Sequence, residues 1–332
     1  METNRKFNFN QDTISVVLFF LVIAVVMAVF SVLNENFMTV SNLTRALKHL
    51  SIVSLAALGL TFVVAVGHSD MSFHFVSCFA GMTMSFFIGR GFPPLPSILI
   101  GLLGGLFFGF ISGIAVGIFK LPDMIVTIAI GSVAWGMAYL YSNGSYIYTN
   151  FLTSGIIVFS DGKLFGLPFP VIYLFGFYIL SYILLHRTKF GRGFYATGSN
   201  KVAATFSGVK VESYIITAFV LSSLLASFTN MVMIAAQGNG NVKGGLILLM
   251  PAWVAVFVGI SVFKKPTVIG TFFGAFLISI MQNGFTLLNA PFYVMDLIVG
   301  LTLIGAILIS RIQAKRGTAR QISPSSGLEQ PE

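Results

Sequence analysis

Of the 332 residues, 56% are hydrophobic and only 9% are charged, against about a quarter charged in a soluble domain, which excludes an ordinary water-soluble fold. Lysine and arginine number 19 and the acids 10, but the bases are strung between apolar runs and do not gather into a surface for nucleic acid. The single Cys78 sits inside an apolar run as a small filler residue, so a disulfide framework is excluded.

A helix needs about 20 residues to cross the hydrocarbon of a bilayer. In chain order, apolar runs predict spans near 14–33, 50–67, 71–88, 97–119, 124–141, 169–185, 213–236, 250–263, 267–288 and 292–310. The first lacks a small-residue cleavage site and reads as a retained span rather than a signal peptide. With ten spans and the amino terminus inside, only Arg45, Lys48, Arg90, Lys163 and Lys243 of the 19 bases fall outside. Basic loops stay cytoplasmic, so this parity is the expected one. The fold class is an all-α polytopic membrane protein of about ten transmembrane helices with both termini cytoplasmic. Residues 1–13 form an inner segment, 14–311 the membrane domain with a long inner connection over 186–212, and 312–332 a polar, disordered tail.

The second and third spans are interrupted by Gly67, His68, Ser69, Asp70, Met71 and Ser72, with His74 following. A carboxylate beside apolar runs is costly unless it faces protein or water, and a broken helix frees backbone groups that must line a cavity or be buried. Gly67, His68, Asp70 and Ser72 are therefore candidates for a translocation pathway. The competing role for Asp70 is to cap the helix that follows. Positions 68 and 74 do not share one helix face, so no metal site is expected. In the fourth span Gly101, Gly105, Gly109, Gly113 and Gly117 recur every fourth residue, a stripe that lets another backbone approach closely. It predicts tight packing within the chain or a subunit interface. Asp296, a few residues into the last span, reads as a snorkelling or paired residue rather than a proton carrier.

The inner connection contains the run from Ser199 to Val209, read as a two-turn helix with Asn200 as N-cap and Gly208 just past its end. Val202 and Phe206, four apart, share a face, and so short a helix is marginal in water without a partner. A groove on a soluble protein or the membrane interface would supply one. The chain has no phosphate-binding G-x-x-x-x-G-K-[ST] loop, no H-E-x-x-H, no G-x-S-x-G and no paired-cysteine spacing. Nothing marks it as an enzyme. Transport driven by ATP would require the nucleotide to bind another polypeptide.

The run from Gly113 to Gly144, GIAVGIFKLPDMIVTIAIGSVAWGMAYLYSNG, resembles permeases of ATP-binding-cassette (ABC) importers for monosaccharides of the ribose, xylose and arabinose type. Lys120, Pro122, Ile125, Thr127, Gly136, Tyr139 and Leu140 match that pattern. The stretch from Thr188 to Val209, TKFGRGFYATGSNKVAATFSGV, is similar to the same family's cytoplasmic connection and is the most specific match. The resemblance implies that this segment is the coupling helix that docks on the ATPase subunit, through Gly198, Asn200, Ala203, Ala204, Phe206, Ser207 and Gly208. Near the first break the family reads Gly-Gly-Ile-Asp-Leu-Ser-Val-Gly, and here His68 replaces a glycine. A second, glycine-rich family break corresponds to Gly259 through Thr267 with most of its glycines gone, leaving Gly259 and Ser261 as candidates; Pro251-Ala252 replaces an Asp-Ala pair upstream.

The resemblance implies a multi-pass permease subunit in a bacterial inner membrane, with no cofactor of its own and ATP bound by a partner ATPase. A periplasmic or lipid-tethered solute-binding protein and a second permease, identical or not, would complete the assembly. The expected solute is small and polar, a monosaccharide before a polyol or nucleoside. The alternative is a proton-coupled secondary transporter with Asp70 and His68 as carriers.

Overall fold

A computed structural model describes the backbone of residues 5–322, with side chains for 15–308 other than 292. The chain is a helical bundle: α1 (Arg5–Leu33), α2 (Val40–Ala65), α3 (Phe73–Gly89), α4 (Pro94–Gly117), α5 (Asp123–Tyr139), one-turn α6 (Phe151–Ser154) and α7 (Val158–Asp161), α8 (Phe169–Tyr182), α9 (Lys189–Ser199), α10 (Lys201–Phe206), α11 (Val211–Gln237), α12 (Leu249–Phe263), α13 (Val268–Leu287) and α14 (Phe292–Ile322). A π-turn, Ile183–Arg187, prolongs α8, and a 3₁₀ turn, Gly244–Leu248, leads into α12. Among the described residues, seven helices are long and apolar enough to cross a membrane. Three shorter apolar helices, Phe73–Gly89, Asp123–Tyr139 and Tyr293–Leu308, accompany them. The all-α reading is modified, among the described residues, by a two-stranded antiparallel ribbon, β1 (Lys163–Leu164) and β2 (Leu167–Pro168), and an isolated bridge between Ile147 and Gly240.

The centre is built on α2 and α11, whose most apolar windows are 72% and 67% buried, against 17% for the peripheral α1. The glycine stripe of α4 explains how α11 comes so close. A Cβ on Gly109 would lie 2.7 Å from the Ser223 side chain and one on Gly113 would lie 2.7 Å from the Ile216 Cα. Gly105 is pressed on Ser227 and Gly117 on the Glu212 carbonyl, while Gly101 faces Ala80 and Met84 of α3. The two helices run antiparallel in this zipper, and the stripe is spent on packing inside the chain. In lipid, where apolar surface provides no drive between helices, such backbone approach is a main source of cohesion. Deeper polar ties add to it: the Thr61 and Thr271 hydroxyls share a hydrogen bond of 2.6 Å between α2 and α13, and Tyr178 Oη donates to the Ser54 carbonyl at 3.1 Å.

Several boundaries differ from the sequence reading. Helix α2 starts at Val40 rather than near 50, because its polar first turns find partners: Asn42 pairs reciprocally with Asn283 of α13, and Lys48 forms an ion pair of 2.8 Å with Asp161. The short eighth run gains the turn Gly244–Leu248 and becomes a 20-residue apolar segment. Helix α14 continues past 311 to Ile322; the rest of the tail, 323–332, lies outside the described residues, as do residues 1–4. Asp296 is exposed.

The connections sort to two ends of the bundle. At one end, Ile147 pairs with Gly240, Asn150 Nδ2 donates to the Gly89 carbonyl, and Lys48 meets Asp161. At the other, Tyr195 Oη donates to the Pro266 carbonyl at 2.7 Å, and the α2–α3, α4–α5 and α10 segments meet. That second end carries Lys120, Lys189, Arg192, Lys201, Lys210, Lys264 and Lys265, the basic set expected together.

Candidate functional site: the α2–α3 loop and the α9–α10 connection

Helix α2 ends at Ala65 because Gly67 turns left-handed, φ +77°, a conformation glycine adopts without strain. The chain then crosses to α3 through residues 66–72, where the Asp70 carboxylate, the His68 ring and the Ser69, Met71 and Ser72 N–H groups all have partners. Asp70, fully buried, accepts through Oδ1 from the Ser72 N–H at 2.7 Å and Ser72 Oγ at 2.6 Å, and through Oδ2 from Ser222 Oγ of α11 at 2.7 Å. Burial pushes its carboxyl above the usual carboxylate range, and the Ser72 and Ser222 hydroxyls and the Ser72 and Phe73 N–H groups pull it back. Asp70 thus ties the first turn of α3 to α11. The N-cap position of α3 is Ser72, and Asp70 braces that residue from two positions upstream.

The other side of the loop is held by α5, which sequence reasoning did not single out for this. Asp123, in its first turn, accepts from the Ser69 N–H at 2.8 Å and meets His68 Nδ1 at 3.1 Å through Oδ2. One turn on, Thr127 Oγ1 accepts from the Met71 N–H at 3.0 Å. Gly131 leaves room for the loop's end: a Cβ there would lie 3.0 Å from the Ser72 Cα. The available signal was Asp123 and Thr127, polar residues four apart on an otherwise apolar helix.

The α9–α10 connection lies against this loop. Thr188 caps α9 by accepting from the Gly191 N–H. Gly191 and Gly193 admit the Leu185 backbone and the Tyr214 ring. Gly198 presses on the Ala65 carbonyl and on Gly67, whose own absent Cβ would lie 3.3 Å from the Gly198 carbonyl. The two groups of candidates are therefore in direct contact. Helix α10 is as read: Asn200 Oδ1 accepts from the Ala203 N–H at 3.0 Å, and Gly208 follows the helix at φ +79°. Ala204 faces inward, whereas Val202 and Phe206 are 66% and 88% exposed. Ala203 is exposed too, and Ser207 Oγ returns to the Ala203 carbonyl. Lys201 Nζ bonds His68 Nε2 at 2.7 Å.

Between the α2–α3 loop, the end of α4 with its connection to α5, α10 and α11, a cleft of about 330 Å³ opens on His68, Lys120, Lys201, Thr205 and Glu212. The remaining candidates lie elsewhere. Gly259 of α12 abuts Gly270 of α13, and buried Ser261 donates to the Val258 carbonyl. Residues 259–267 form an ordinary helical hairpin, with Thr267 capping α13 through the Gly270 N–H. The irregular stretch is upstream, at 238–248, where Gly245 packs on Ser77 and the His74 carbonyl, and Trp135 Nε1 donates to the Val242 carbonyl at 3.0 Å. Asp70 and His68 bond to different partners. Among the described residues no group of three or more His, Cys, Asp or Glu is placed to hold a metal.

Residues 42–307 match the sequence family described as the branched-chain amino acid transport system, permease component. The chain is 27% identical over 294 residues to the ribose import permease RbsC of Bacillus subtilis, covering 88% of this chain and 91% of the relative. It is 26% identical to the D-allose permease AlsC of Escherichia coli (89% and 91% covered), and 27% identical to the L-arabinose ABC permease AraH of Azospirillum brasilense (91% and 89% covered). No solved structure matches.

Proposed function

The chain belongs to this family of ABC-importer permease components, and from that we infer that it is the membrane-spanning subunit of an ATP-driven importer for a small polar solute, with a monosaccharide as the first candidate. The ribose, allose and arabinose relatives favour a sugar over an amino acid. One observation carries the reading of this chain's own residues. The capped α10 offers Phe206 and Val202 outward while its root, Gly198, bears on Gly67 at the α2–α3 loop. A force applied to α10 by a docked ATPase would reach the start of α3 and of α5 through backbone contact and the Lys201–His68–Asp123 bonds. Asp70 and Ser72 hold the loop in shape for that transmission, and Gly259 keeps α12 close to α13.

In this reading ten helices span a bacterial inner membrane with both termini cytoplasmic, the basic end of the bundle facing the ATPase. A solute-binding protein meets the opposite end, and a second permease, the same or a different chain, shares the pathway. The test is uptake into proteoliposomes holding this chain, its ATPase and its binding protein, with ribose, arabinose and allose offered in turn. ATP-dependent uptake of one of them is expected. Uptake that ignores ATP and collapses with a protonophore would overturn the reading and select a proton-coupled carrier.

A further inference from the structure

His68 stands where the resembling permeases carry glycine, and it occupies a position only one form of imidazole fits. Its Nε2 faces the Lys201 ammonium at 2.7 Å, and its Nδ1 faces Asp123 Oδ2 at 3.1 Å. An ammonium has only protons to offer, so Nε2 must present its lone pair; the carboxylate has only acceptors, so Nδ1 must carry the proton. Neutral imidazole with the proton on Nδ1 satisfies both. Imidazolium would turn an N–H toward the ammonium, losing that bond and placing two positive charges at contact.

We propose that His68 is a positioning residue that clips α10 to the α2–α3 loop and to α5 while it is neutral, and that protonation from the cytoplasmic side opens the clip. The proposal rests on reading α10 as the coupling helix. The charged groups around the ring are Lys201 of α10, Asp123 of α5, and, across the cleft, Lys120 of the α4–α5 connection and Glu212 of α11; the Phe219 ring of α11 lies 6.3 Å away. Burial, then Lys201, hold the imidazole below its ordinary value of 6.5, with Asp123 partly opposing them. The sign follows: the clip is intact above that value and is lost as pH falls through the lowered one. Acidification would thus slacken the link between ATPase and permease.

The measurement is amide hydrogen exchange over residues 200–207 in the full chain in nanodiscs, at about pH 7.5 and about pH 4.5, the lower value set beneath the ordinary histidine range because this imidazole is held low, each corrected for intrinsic chemical exchange. Loss of a bond to a charged group predicts exchange on the order of tenfold faster at the lower pH in the unaltered chain. His68→Gln keeps an acceptor for Lys201 and should stay slow at both values. Lys201→Met, on the exposed side of the clip where folding is not at stake, should be fast at both. Equal protection at both pH values in the unaltered chain, or an undiminished pH response in Lys201→Met, would overturn the proposal. No ATPase or solute is present, so this failure is distinct from failure of the importer reading, which would appear as a chain that captures no ATPase.

Discussion

Phe206 is the most direct handle on the docking reading. It is 88% exposed at the end of α10, on a face with the 66% exposed Val202. Full burial of a phenylalanine side chain in a partner groove contributes about 1.5–3 kcal/mol, and half burial about 1. Phe206→Ala should therefore weaken ATPase binding by at least about fivefold, since 1.4 kcal/mol is tenfold. Phe206→Asp adds the desolvation of a charge and should abolish binding. Neither change touches the chain's own packing, so insertion and the thermal midpoint should not move. The assay is titration of the ATPase subunit onto the chain in nanodiscs, with ATP-driven uptake measured on the same variants. Binding within about twofold of the unaltered chain for both substitutions would refute the reasoning, as would full uptake with Phe206→Asp.

Further outcomes follow from the packing. Gly109→Val places a branched side chain where the Ser223 side chain is already 2.7 Å from a bare Cβ; overpacking should cost about 1–3 kcal/mol or more in the detergent-solubilised chain, whereas Gly176→Ala, with open space around it, should be neutral or slightly stabilising. Asp70→Ala strands the Ser72 and Ser222 hydroxyls and the Ser72 N–H without their acceptor and should cost about 3 kcal/mol or more. Asp70→Asn retains an acceptor for Ser72 and should cost about 1; a melting comparison separates them. Asn200→Ala removes the α10 cap, about 1 kcal/mol, and should speed exchange at Ala203 while Asn200→Asp does not.

Sequence alone determined the membrane character, because no soluble core absorbs so apolar a chain, and it located α10, because a capping asparagine and a terminal glycine are local signals. The glycine stripe was legible for the same reason: a four-residue period lies on one face of any helix. Its partner was not legible, since Ser223 and Ser227 look like ordinary small residues until α11 lies antiparallel to α4. Asp70 stood out by its charge, yet its bond to Ser222, 152 residues away, was not legible. The contact of Gly67 with Gly198 and the Lys201–His68–Asp123 chain join three segments distant in sequence. Only tertiary structure decides such meetings, because they depend on how the helices close on one another, and a local pattern carries no record of that.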